Sequence, residues 1–321
     1  MSGTSMSSAS TAADSPVIIE VALTTRPDRN PTAPSSLADA TAQGLACIDA
    51  GASIVHMHLP DLKVSAAEAT SQYLECFRPW LEHDPDVLCL PTNGWGDTTE
   101  ERFAHQFLLG DQGALRLAFV DPGATVFGWP GPDGAPAPDG IVYSFNYDAM
   151  SYAIDKGMSH GMGMHFAVFE PGWLRNVMAY WRAGRLSPGS FVKFYFGGPY
   201  GVLARGEGVT FGLPPTTAEN HGRSQPSSSR ISRYAASPLS VGGDLLETPV
   251  ARATVEQGGH LRVGLEDHAG ARTPSNLELV QEAVALCREV GRPVATPAQT
   301  IDIHALPSRT GSATATTGST A

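Results

Sequence analysis

The chain has 321 residues, room for two ordinary domains or for one (β/α)8 barrel of about 250 residues with extensions. Its formal net charge is −11 and its basic residues number 21, with Lys63, Lys156 and Lys193 the only lysines. An acidic chain without a basic stripe lacks the surface that phosphate contact requires, so nucleic acid is excluded as a partner. No stretch of 18 apolar residues occurs, so no membrane span is expected. Cys47, Cys76, Cys89 and Cys287 have no CxxC spacing and sit in apolar segments. They read as reduced, buried thiols of a cytoplasmic protein.

Residues 1–15 and 308–321 are rich in Ser, Thr, Ala and Gly. Both are expected to be disordered tails, because they bury too little apolar surface to offset chain entropy. The first 15 residues also lack the basic and apolar regions of a secretory signal. The sequence between, 16–307, is expected to form a single domain. Residues 17–23 form a β-branched run, 36–50 carry apolar residues at helical spacing, and 53–58 read as a second strand. A helix over 66–81, a strand over 87–90, a helix over 98–109 capped by Thr98 or Thr99, and a strand over 115–120 follow. Beyond these come a strand over 163–169, a helix over 173–182, strands over 191–196 and 261–265, and a helix over 277–290 stopped by Gly291. Strand–helix alternation predicts parallel strands in an α/β fold, and the number of units favours a TIM barrel over an open sheet. No GxGxxG follows the first strand, which argues against a dinucleotide fold. Residues 121–140 and 197–237 are long, Gly/Pro/Ser-rich interruptions, expected as loops on the C-terminal face of the barrel.

His56-Met57-His58 is the sharpest local signal. Residues i and i+2 of a strand share a face, so this spacing offers two imidazoles to one ion. The alternative is two histidines hydrogen-bonded on a barrel rim. A second segment, Arg262-Val263-Gly264-Leu265-Glu266-Asp267, puts carboxylates at the C-terminal end of a short apolar strand, where barrel chemistry is done. Two histidines and one carboxylate with a corner left open make a catalytic zinc arrangement. Alone, the carboxylates also suit a solvated helix start.

Three blocks, GASIVHMHLPD, GMHFAVFEPGWLRN and GGHLRVGLEDH with the helix after it, give the chain its resemblance to the β-keto acid cleavage enzymes. The likeness runs with gaps from about residue 17 to 306 and implies a homo-oligomeric (β/α)8 barrel with a divalent metal, typically zinc. It further implies acyl exchange between a β-keto acid and acetyl-CoA, giving acetoacetate and a new CoA thioester. Matched residue by residue, His56, His58 and Glu266 correspond to the metal ligands, Asp267 to the catalytic base and Arg262 to the arginine that assists it. Beside that arginine and a metal, Asp267 is expected to stay ionised at neutral pH.

The substrate side departs from the family. Pro91 and Ala124 fall where hydroxyl residues are usual, His165 falls where a glutamate is usual, and residues 24–28 replace a smaller turn. Thr92, Asn93, Thr125, His165 and Arg26 are the candidates to meet the substrate instead. Losing the acidic residue with Arg26 nearby disfavours an aminated substrate. The alternative is CoA-independent retro-Claisen cleavage, decarboxylation or an aldol- or Claisen-type condensation in specialised metabolism. Amidohydrolase barrels also use HxH, but there the pair follows the first strand; a non-catalytic barrel is a further alternative. His260 and His268 are either orienting partners of metal ligands or loop histidines. Trp129, Tyr143, Phe145, Tyr147 and Tyr152 suit lid or core packing, and Arg205, Arg223, Arg230 and Arg233 suit CoA phosphates or a solvated loop.

Overall fold

The computed structural model describes residues 15–24, 28–127, 131–133, 135, 137–138, 140–197 and 236–306. Eight parallel strands form the centre: β1 (Ile19–Ala22), β2 (Ile54–Met57), β3 (Leu88–Pro91), β4 (Leu117–Val120), β7 (Gly163–Val168), β8 (Phe191–Gly197), β9 (Ala236–Val241) and β10 (Leu261–Val263). They pair in two four-stranded runs, β10-β1-β2-β3 and β4-β7-β8-β9. β3 lies beside β4 and β9 beside β10, so the two runs close on each other as the TIM barrel expected from the alternation. β5 (Ala124–Phe127) and β6 (Ile141–Ser144) form a separate antiparallel hairpin after β4.

The helices are α1 (Leu37–Ala50), α2 (Ala66–His83), α3 (Thr99–Asp111), α4 (Tyr147–Ser159), α5 (Pro171–Arg182), α6 (Pro249–Glu256), α7 (Asn276–Val290) and α8 (Pro297–His304). Their starts are written in the sequence. Ser36, Ser65 and Asn146 accept from a backbone N–H of the first turn, and Thr98, Ser275 and Thr296 form full capping boxes with Glu101, Glu278 and Gln299. α5 and α6 instead open on proline, whose missing N–H costs nothing in the first turn.

Two apolar layers result. The larger lies between strands and helices and includes Val21, Val55, Phe77, Trp80, Phe166 and Val280. The smaller fills the barrel, with Ile18, Ile54, Leu88, Leu90, Leu117, Phe119, Phe191 and Tyr195. α8 closes the N-terminal end: Thr300 bonds Ser53, and the His304 ring stacks on Phe191 at 4.4 Å. The four cysteines are buried free thiols, as expected. No helix among the described residues is long and apolar enough to cross a membrane.

Several elements differ from the expectation. Residues 121–140 are not all loop, since β5 lies within them and pairs with β6 in the register Ala124↔Ser144. α4, α6, α8 and β9 have no counterpart in the sequence reading. β9 begins inside the stretch read as the second long loop and is drawn into the sheet by pairing along β8 from Val192 to Gly197. Both expected tails (apart from Ser15), the remainder of the second long loop, Trp129 and the four loop arginines lie outside the described residues.

A candidate metal centre at the C-terminal end of the barrel

His56 occupies β2 and His58 follows directly after the strand. Their rings stand perpendicular, 5.1 Å apart between centroids. His56 Nδ1 lies 2.9 Å from the Leu90 carbonyl of β3. A carbonyl only accepts, so Nδ1 carries the proton and Nε2 presents its lone pair inward. Burial pushes the His56 pKa down to about 4, with Arg262 and His58 adding to it and Glu266 opposing, so the ring is neutral as ligation requires. The backbone N–H of His58 donates to Thr24 Oγ1 at 2.7 Å, which fixes where the second ring leaves the chain.

Glu266 and Asp267 are sequence neighbours that both reach Arg262. On a strand they would face opposite ways. β10 ends at Val263, and Gly264 adopts φ 133°, where a side chain would lie 2.2 Å from the Ala22 carbonyl oxygen. That glycine breaks the alternation and starts a turn held by Glu266 N–H on Ala22 O and Asp267 N–H on Gly264 O. Glu266 comes within 3.1 Å of His56 Nε2 and 3.4 Å of His58 Nε2. One ligand atom from each of His56, His58 and Glu266 lies within 4.8 Å of the other two. Two imidazoles and a carboxylate at this spacing fit a divalent cation with a coordination position to spare.

Arg262 is fully buried and organises the acids. Its Nη2 donates to Glu266 at 2.6 Å, its Nε to Asp267 at 2.6 Å and its Nη1 to Glu20 of β1 at 2.8 Å. Burial resists charge on Glu266, but Arg262, His56 and His58 outweigh it and hold the carboxyl well below the usual range. Burial acts on Asp267 as well, and its pKa is raised from the usual carboxylate value. Burial and the neighbouring Glu266 charge exceed the pull of Arg262, whose charge Asp267 shares with Glu20 and Glu266.

Two residues of this network were not singled out by sequence. Glu20 and Lys193 of β8 form a buried ion pair at 2.8 Å. Burial and Arg262 push Lys193 down to about 8, against the pull of Glu20. A charge inside an apolar strand, as in VIIEVAL and FVKFYF, was the available signal.

The substrate-side candidates separate. His165 of β7 lies in the barrel interior with its ring stacked on Phe191 at 4.4 Å and edge-on to Phe119 at 5.3 Å. Thr92 is buried just past β3, and its carbonyl accepts from His105 Nε2 at 2.8 Å. Asn93 has both ends of its amide engaged inside the protein, accepting from Gln106 and donating to Asp121. Thr125 lies opposite Tyr143 on the hairpin, which puts both on one face. Arg26 lies outside the described residues. His260 accepts from Ile18 N–H at the opposite end of β10, so it does not orient a ligand. His268 faces Asp244 at 3.3 Å.

Residues 16–306 match the family described as beta-keto acid cleavage enzyme. The chain is 26% identical over 283 residues to the 3-keto-5-aminohexanoate cleavage enzyme of Acetoanaerobium sticklandii, covering 86% of this chain and 92% of that protein. It is 26% identical over 308 residues to the 3-oxoadipate:acetyl-CoA acetyltransferase of Cupriavidus necator, covering 91% and 96%. Among solved structures, the binary complex of ObcA with oxaloacetate superposes with a TM-score of 0.61 at 17% identity over 86% of this chain and 68% of that one, a likeness of fold. The chain belongs to the β-keto acid cleavage enzyme family.

Proposed function

We propose that the protein is a divalent-metal enzyme, with zinc as the ion, that exchanges an acyl group between a β-keto acid and acetyl-CoA to give acetoacetate and a CoA thioester. The convergence of His56, His58 and Glu266 within 4.8 Å, beside an Asp267–Arg262 pair at 2.6 Å, carries this reading. A divalent ion held there supplies a Lewis acid for the keto oxygen. Asp267 removes the proton from the carbon between the two carbonyl groups, and its position beside Arg262 keeps it aimed at that carbon. Arg262 fixes Glu266 and Asp267 through one planar guanidinium, which a lysine has no geometry to replace. Thr92, Thr125, His165 and Arg26 are the groups we assign to the altered substrate side, with Asn93 acting there through its hold on Asp121. The absence of an acidic side chain at His165 speaks against an aminated substrate.

The test combines metal analysis with turnover. Stoichiometric zinc in the purified protein, acetoacetate formed from a β-keto acid only when acetyl-CoA is added, and loss of turnover with retained zinc in Asp267→Asn are the expected results. Full turnover in Asp267→Asn refutes the base. Product formed equally without acetyl-CoA replaces acyl exchange by direct cleavage or decarboxylation.

A further inference from the structure

Asp121 stands at the C-terminal end of β4, two residues beyond Phe119, and so on the same inward face. It is buried at 2% exposure. Its two carboxyl oxygens are made unequal by a chain of hydrogen bonds. The Phe119 N–H donates to Gln106 Oε1 at 2.7 Å, which fixes the Gln106 amide with its nitrogen toward Asn93 Oδ1 at 2.9 Å. The Asn93 nitrogen is thereby turned toward Asp121 and donates to Oδ2 at 2.9 Å. The Tyr143 hydroxyl, brought in by β6, donates to the same Oδ2. Oδ1 is buried and has no hydrogen-bond partner among the described residues. With two donors on Oδ2, a proton on this carboxyl belongs to Oδ1.

Resting on the function proposed above, we propose that Asp121 binds the substrate carboxylate of the keto acid as a neutral acid, donating a hydrogen bond from Oδ1, and that binding takes up a proton. The charge count of the adjoining ion-pair network, which Lys193 links to Asp121, favours this form once the keto acid is bound. Glu20, Glu266 and Asp267 oppose Lys193, Arg262 and a divalent ion, which leaves one positive charge. A keto monoacid neutralises that charge if Asp121 is protonated and overfills it if Asp121 is ionised. The titratable or charged groups that reach Asp121 are Tyr143 of β6, Lys193 of β8 and His58 after β2. Burial raises the carboxyl to about 7 against the pull of Tyr143, Lys193, Asn93 and His58. The hydrogen bond also supplies a donor where Pro91 and Ala124 have none, and it makes Tyr143 and Asn93 positioning residues.

The experiment titrates acetoacetate into the zinc-loaded protein by calorimetry at pH 6 and pH 8, in buffers of different ionisation enthalpy, to count protons. At pH 8 the wild type takes up a proton with each acetoacetate, and at pH 6 the uptake falls because the acid is already formed. Asp121→Asn retains a donor and binds, but takes up no proton. Asp121→Leu binds roughly 10- to 100-fold more weakly. Tyr143→Phe removes a donor that favours the carboxylate, so its uptake profile moves to higher pH, which tests the assignment without altering the acid itself. Binding by the wild type without proton uptake, or uptake unchanged in Asp121→Asn, overturns the assignment and leaves the proposed reaction standing. Failure of the zinc-loaded wild type to bind acetoacetate at either pH overturns both.

Discussion

The chemistry of this site is decided by which atom of each side chain is left unspent. His56 gives its Nδ1 proton to Leu90 and keeps Nε2; Glu20 collects Lys193 and Arg262 on one oxygen. Replacing His56 by alanine removes a ligand atom outright. Zinc affinity is expected to fall by more than the roughly 10- to 100-fold typical of losing an outer partner, measured by competition with a chelator. Glu20→Gln strips the buried Lys193 of its carboxylate and takes one of three from Arg262, and is expected to cost about 3–5 kcal/mol in denaturant unfolding. Adding Lys193→Met should recover part of that loss, because it removes the orphaned charge. The HxH pair was legible from the sequence because its two rings lie two residues apart at the end of one strand. Glu20 and Lys193 were not: each alone is an anomaly in an apolar run, and their 173-residue separation hides the pair.

At the scale of elements, capped helices and β-branched strands were read closely, since caps and periodicity act over a few residues. α1, α3 and α7 begin where Ser36, Thr98 and Ser275 announce them. The β5–β6 hairpin escaped because its strands are short, its outward face is exposed at Val126 and Val142, and its register is set by pairing. The turn after β10 was read as strand to Leu265, which would have set Glu266 and Asp267 on opposite faces. Gly264 prevents this. Gly264→Ala forces a side chain onto the Ala22 carbonyl at a φ of 133° and is expected to cost roughly 2–5 kcal/mol. Thermal unfolding checks the stability, and zinc stoichiometry in the surviving folded fraction checks that the turn presents Glu266.

Across the whole molecule, parallel strands gather residues distant in the chain at one barrel mouth, while ion pairs behind the strands hold the frame. Asp244 bonds Arg272, which also bonds Glu282 of α7, and it faces His268 beyond the Gly264 turn. Burial opposes charge on Asp244, but His268 and Arg272 prevail and hold it at about 2. A folded-state pKa below the unfolded value of about 4 gives stability that is present above pH 4 and lost as pH falls toward 2. Asp244→Asn should therefore lower the melting temperature at pH 6 and narrow its difference from wild type below pH 3, a comparison made by calorimetry across that range.

Local order in this chain follows from local causes. Caps, β-branched runs and strand–helix alternation are complete within a dozen residues, and they suffice for a barrel, for the HxH pair and, through the signature around Arg262, for the family. Which charges meet is a different matter. Glu20 with Lys193, Asp121 with Tyr143, and the shared hold of Arg262 on Glu266 and Asp267 depend on strand register, on barrel closure and on one glycine turn. Those are properties of the assembled chain, because a hydrogen bond requires positions good to a fraction of an ångström and linear order carries no such information.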